Sequence, residues 1–320
     1  MGFSLFPISL VIIFFFPYNL AYDFASTVTV DQSGGGKFKT IQDAINSVPD
    51  GNNKWFHIII SPGTYNEIVS IPLEKEYIFL EGTTLSKTII TSDIHSSSDV
   101  ATFTSSANNF VAKNIKFQNS YNLHQKNNVE PAVAAIIRGD KSAFYNCEFI
   151  GYQDTLADFQ GRHYYKSCSI EGGVDFIWGF GQSVFEDCKI HVNVEPNFRG
   201  YITAQGRGSE QDSSGYVFLR CVVDGSGQVY LGRGYRASSR VVFIESTFSS
   251  VVIPAGWDAW HGEGHESGLT YIEAGCSGSG ANSPQRVSWA KIEDSNRNIS
   301  SLTELPTIFI NRNSPPCIVD

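Results

Sequence analysis

Six stretches of this chain share one pattern, and that pattern restricts its fold more than any other feature. They are VAKNIKFQN (111–119), AFYNCEFIG (143–151), YYKSCSIEG (164–172), VFEDCKIHV (184–192), VFLRCVVDG (217–225) and VFIESTFSS (242–250). Each begins apolar, places a polar residue fourth, follows it with a small or apolar residue, and then alternates. The fifth position reads Ile115, Cys147, Cys168, Cys188, Cys221 and Ser246. Alternation marks a half-buried strand, and its return at intervals of 20 to 33 residues marks a repeat.

Units this short cannot bury an inward face alone, so they must stack. With no long helical periodicity between them, they predict an all-β chain: a right-handed, single-stranded parallel β-helix with like residues in ladders about 4.8 Å apart. The cysteines then form a buried ladder of small side chains, with Cys276 and Cys317 outside it. A disulfide between neighbouring rungs is sterically open, and Cys168 with Cys188 is the preferred pair. One helix is expected, in KFKTIQDAINSVPDG (37–51). There Phe38, Ile41, Ala44, Ile45 and Val48 recur at helical spacing, Thr40 can cap the start, and Pro49 ends the run. Such a helix would close the open end of the solenoid.

The 320 residues are 42% hydrophobic and 17% charged, a balance that supports an extensive core. A net charge of −9 argues against nucleic acid and anionic membranes as partners. The apolar run Leu5–Phe16 is short for a membrane span and reads as part of a secretory signal, residues 1–21, followed by one domain over 22–320. Asn298 begins a glycosylation sequon, consistent with export.

The chemistry is carried by GYQDTL (151–156) and VDFIWG (174–179). Asp154 lies seven residues beyond Cys147, and Asp175 seven beyond Cys168. If the coil is regular, the two aspartates stack on adjacent rungs about 5 Å apart and face the same way. Carboxyl groups that close share a proton, leaving one as anion and the other as acid. Gln153 adds a neutral donor for an oxyanion, and Arg233 in YLGRGY can keep one aspartate ionised. Retaining glycosidases use carboxyl groups about 5 to 5.5 Å apart, and aspartic proteases also use a dyad. An ester hydrolase with a carboxylate nucleophile needs oxyanion donors as well, which Gln153 favours. No GxSxG occurs, and HGEGHE (261–266) reads as a solvated loop rather than a metal site.

With these motifs in place the chain resembles the plant pectin methylesterases, right-handed β-helix carbohydrate esterases, from about Asp31 to Ser314. The matching motifs are GTYNE (63–67), GYQDTL, DFIWG (175–179), TAQGR (203–207), LGRGY (231–235) and GWDAW (256–260). The family's amino-terminal inhibitor-like pro-region has no counterpart in the sequence. The resemblance implies Asp175 as nucleophile, Asp154 as proton donor and then base, Gln153 as oxyanion donor, and Arg233 as the partner of Asp175 and of the sugar. It also implies that Tyr152, Phe176, Tyr235, Trp257 and Trp260 line a sugar groove, with core packing the alternative for each. It further implies homogalacturonan as substrate, no cofactor, a monomer in the plant cell wall, and a proteinaceous inhibitor as a partner. Methyl-esterified pectin is uncharged, so an acidic protein can approach it. Two departures stand out. Pro131 replaces a second oxyanion glutamine, and Gly234-Tyr235 replaces the family's Pro-Trp. Both predict a slower enzyme, and Pro131 motivates an alternative in which the protein grips pectin with weakened turnover.

Overall fold

The computed structural model describes residues 24–84, 87–124, 128–281 and 284–293. The expected signal segment 1–21, the expected glycosylation site Asn298, and Cys317 lie outside them. The chain forms the expected right-handed parallel β-helix. Among the described residues three sheets run along it, of eleven, eight and eight strands, and every pairing is parallel. Each regular coil gives one strand to each sheet in turn. One coil, for example, supplies Arg162–Lys166, Ser169–Gly172 and Val174–Gly179, and the next supplies Gln182–Glu186, Lys189–Asn193 and Arg199–Gln205. Among the described residues no helix is long and apolar enough to cross a membrane.

The repeated segments prove to be the corner between the first two strands of each coil. Their polar fourth residues, Asn114, Asn146, Ser167, Asp187, Arg220 and Glu245, all have φ between 49° and 58°. That left-handed turn swings the chain from one sheet to the next, and a side chain there points to solvent. The fifth residue then turns inward. Cys276 follows Gly275 (φ 62°), and its sulfur faces Phe243 O and Ala274 O, as Cys221 faces Phe185 O and Leu219 O. Cys276 therefore continues the ladder rather than lying outside it. Sequence alignment missed it because glycine, not a polar residue, makes the turn.

The Cys168–Cys188 disulfide is not formed, and all five described cysteines are free and buried. Ladder side chains leave parallel backbones in parallel directions, which is the wrong orientation for bridging. The Cys168 sulfur instead lies 3.4 Å from the carbonyl oxygens of Phe144 and Lys166 and accepts the Cys147 N–H at 3.4 Å.

The expected helix spans Ile41–Asn46, with the Thr40 hydroxyl accepting the Asp43 N–H and Ile41, Ala44 and Ile45 buried. The Glu67 carboxylate accepts the N–H groups of Ile41 and Gln42. It thereby ties the cap to the GTYNE segment.

Inside the solenoid, one aromatic ring per coil stacks on the next. Centroid distances are 5.0 Å for Phe144–Tyr165, 4.5 Å for Tyr165–Phe185, 4.6 Å for Phe185–Phe218 and 4.4 Å for Phe218–Phe243. Phe218 has a ring above and below it and no exposure. We expect Phe218→Ala to lower the unfolding free energy by about 3–5 kcal/mol, measured by urea denaturation. A loss under about 1 kcal/mol would mean that the stacked column is not what binds the coils.

Candidate active site

The site lies on the outer side of the sheet that includes Ala132–Ile137, Leu156–Asp158, Val174–Gly179, Arg199–Gln205, Gln228–Arg233 and Trp257–Asp258. Gln153 bridges Val174, and Leu156 pairs with Ile177, so the offset between these coils is the expected 21 residues. Asp154 therefore lies opposite Asp175. Both aspartates adopt left-handed backbone, with φ of 63° and 46°. This feature was not legible in the spacing. Asp tolerates that conformation better than most residues, and strain of this kind persists only where neighbours enforce it. Here the Asp154 N–H donates to Val174 O at 3.0 Å, and its carbonyl accepts the Trp178 indole N–H at 3.4 Å. Gly173 makes room on the adjacent rung: a Cβ there would sit 2.7 Å from the Tyr152 ring.

The two carboxyl groups are treated unequally. Arg233 Nε donates to Asp175 Oδ1 at 2.8 Å, and its Nη2 donates to Oδ2, a bidentate fork. Burial pushes the Asp175 carboxyl above the usual range, and the Arg233 fork and charge pull against it. Asp154 has no such fork. Burial first, and the neighbouring Asp175 second, raise it to about 7, opposed only by the charge of Arg233. A guanidinium fork selects the ionised form of its partner. The two carboxyl groups therefore differ: the fork favours the anion at Asp175, while Asp154 is raised to about 7.

Gln153 immediately precedes Asp154 on the same rung and is half-buried. Its backbone is fixed by the Val174 bridge and by the Ala132 N–H, which donates to its carbonyl at 3.3 Å, while no described residue hydrogen-bonds its side chain. Pro131 directly precedes the buried strand Ala132–Ile137, and its carbonyl accepts the Ser96 N–H at 3.0 Å. It presents no donor of its own.

The aromatic expectations divide. Tyr235 is 38% exposed, with its ring 5.9 Å from that of Trp260, which is half-buried. Phe176 does not line a groove: it is fully buried in the main core beside Ile177, where the left-handed turn at Asp175 and the register shift between Val174 and Ile177 send both side chains inward. Trp257 likewise is buried, stacked 4.4 Å from Tyr271 with its indole N–H donating to Glu273 at 2.8 Å. Tyr152 is 6% exposed. Core packing took these three.

Other residues around the site went unread in the sequence. Trp178 packs with Ile136, Ala157 and Ala204 in an apolar patch separate from the main core, with Phe159 beside it. The Arg138 guanidinium lies 3.9 Å over the Phe159 ring. Tyr201 lies under Arg233, and its hydroxyl donates to Asp258. Asp258 belongs to GWDAW, but only that motif's tryptophans had attracted attention. The strand Arg199–Gln205 pairs with both Val174–Gly179 and Gln228–Arg233, and this juxtaposition was the available signal for Tyr201.

Comparison with known proteins agrees with this fold. The pectinesterase family model matches residues 27–312. Probable pectinesterase 29 of Arabidopsis thaliana is 49% identical over 294 residues, 89% of this chain and 87% of that one. The solved pectin methylesterase from carrot superposes with a TM-score of 0.80 at 31% identity, covering 86% of this chain and 89% of the other. A pectin methylesterase crystallised in complex with a hexasaccharide shares the fold, with a TM-score of 0.74 at 24% identity, covering 89% and 96%. Fold and family together define a β-helix carbohydrate esterase, a carboxylic ester hydrolase. The chain belongs to the pectinesterase family.

Arg233 holds down the titration of both aspartates, so its removal has a definite sign. In Arg233→Ala both carboxyl groups should take up protons at higher pH than in the wild type. Carbon-13 NMR titration of the aspartate side chains reads this directly, and unchanged midpoints would refute the electrostatic assignment.

Proposed function

We propose that the protein hydrolyses methyl esters of galacturonate units in homogalacturonan, with Asp175 as nucleophile and Asp154 as acid and base. The observation that carries the assignment is the unequal pair: two aspartates in register, one held by Arg233 and the other raised to about 7.

In the first half-reaction an Asp175 oxygen bonds to the ester carbonyl carbon, and the carbonyl electrons move to oxygen. The Gln153 amide donates to that oxyanion. As the intermediate collapses, the bond to the methoxy oxygen breaks and Asp154 gives it a proton, releasing methanol. The galacturonyl group is left as an anhydride on Asp175. In the second half-reaction Asp154, now ionised, takes a proton from water as the water oxygen attacks the same carbonyl carbon. The second tetrahedral intermediate expels the Asp175 carboxylate, and Asp154 is again protonated. Arg233 supports both halves by favouring the Asp175 anion as nucleophile and as leaving group. Secretion to the cell wall, a monomeric state and recognition by a proteinaceous inhibitor complete the proposal, on the strength of the leader and the family.

Purified protein should release methanol from esterified pectin without shortening the polymer, whereas Asp175→Asn should fall by at least about 10³-fold. Equal release by both proteins would sink the mechanism. Because Asp154 must carry a proton for the first step, kcat/KM should fall as pH rises through about 7, roughly tenfold per unit beyond it. Protonation of Asp175 should set the acid limb. An alkaline limb beyond pH 9 would reassign the acid.

Pro131 favours a second reading, a pectin-gripping protein with weakened turnover. If the missing donor limits the rate, Pro131→Gln should raise kcat by about tenfold or more, toward the 10²–10³ attributed to one oxyanion donor. An unchanged kcat would show that the donor has been replaced or is not needed.

A further inference from the structure

Arg233 meets Asp175 in a two-bond fork, a geometry that requires the guanidinium plane to coincide with the carboxylate plane. A flexible stem does not hold that plane by itself, and the next residue, Gly234, adds no stiffness. The plane is held from outside. Arg233 Cζ lies 4.1 Å from the centre of the Tyr201 ring on one side and 3.7 Å from that of Trp260 on the other. A single residue holds the Tyr201 ring by its hydroxyl and the Trp260 backbone by its N–H. Asp258 Oδ2 accepts the Tyr201 hydroxyl at 3.0 Å, and Oδ1 accepts the Trp260 backbone N–H at 2.8 Å. Trp260 sits at φ 45°, a conformation that a bulky L-residue keeps only under such restraint. Asp258 is itself the direct strand partner of Arg233 on the adjacent coil, and the Gly234 N–H closes the contact on Asp258 O at 3.3 Å. A proline at 234 would have no N–H to give.

We propose that Asp258 is a positioning residue for ester hydrolysis: it clamps Tyr201 and Trp260 as two plates that hold the Arg233 guanidinium in the plane of Asp175. The proposal deepens the aspartyl-esterase mechanism and rests on it. Asp258 does not compete for the guanidinium hydrogen bonds, both of which go to Asp175. The Tyr201 hydroxyl remains a donor throughout the working pH range, since burial and Asp258 push it up to about 12.

The test compares Asp258→Ala, Tyr201→Phe and Asp258→Asn with the wild type. In Asp258→Ala the arginine loosens, so kcat should fall about tenfold with KM changed less than about threefold. The acid limb should move to higher pH, because less of the Arg233 influence opposes burial of Asp175. Tyr201→Phe keeps the plate but frees it, and should move both quantities in the same direction by less. Asp258→Asn keeps one acceptor and should recover part of the loss. A second readout does not depend on turnover: the Nε–H signal of Arg233, assigned by its absence in Arg233→Lys, should exchange with solvent faster in Asp258→Ala. Folded variants with a wild-type acid limb and unchanged Nε–H exchange would overturn the proposal. If Asp258→Ala does not fold, Tyr201→Phe decides by the same criteria. Faster exchange in a protein whose Asp175→Asn variant still releases methanol would uphold the clamp and discard the mechanism.

Discussion

Parallel pairing between successive coils is the interaction on which the rest depends. Each interior strand hydrogen-bonds to the strand one coil before and one coil after, and register passes from coil to coil with few shifts. Any side chain is thereby placed above its counterpart. Inward, this stacks rings from Phe144 to Phe243 and thiols from Cys147 to Cys276. Outward, it sets Asp154 against Asp175 and Arg233 against Asp258. One geometric rule makes both core and site.

Stacking two carboxyl groups in a half-buried place is unfavourable, and the surroundings turn that cost into a division of roles. Burial raises both aspartates. Arg233 then favours the anion at Asp175, and Asp154, without such a fork, is raised to about 7. The same residue is isolated from competing acids: Asp258 is nearby, but its oxygens are engaged by Tyr201 and by the Trp260 backbone. A solenoid suits this arrangement because its outer face can vary residue by residue while the inner ladders keep the spacing constant.

Much of the site was legible because it depends on spacing alone. The offset of 21 residues from Cys147 to Cys168 reappears between Gln153 and Val174, and an acid pair follows from it. The direction of individual side chains was harder to read. Trp257 belongs to the core because alternation sends the strand neighbour of Asp258 inward, and Phe176 because the turn at Asp175 and the register shift before Ile177 break the alternation. The cysteine spacing suggested a bridge that parallel side-chain directions do not permit. Cys276 escaped the alignment because the turn before it is made by glycine.

What the sequence determined by itself was the repeat, its period, and hence which residues recur on neighbouring rungs, because a parallel ladder converts chain distance directly into position. Only the tertiary structure decided how the two aspartates differ and what steadies Arg233. Those properties come from burial and from contacts among residues such as Asp175, Tyr201, Arg233 and Trp260, which lie on successive coils at irregular chain intervals. No period in the sequence encodes them.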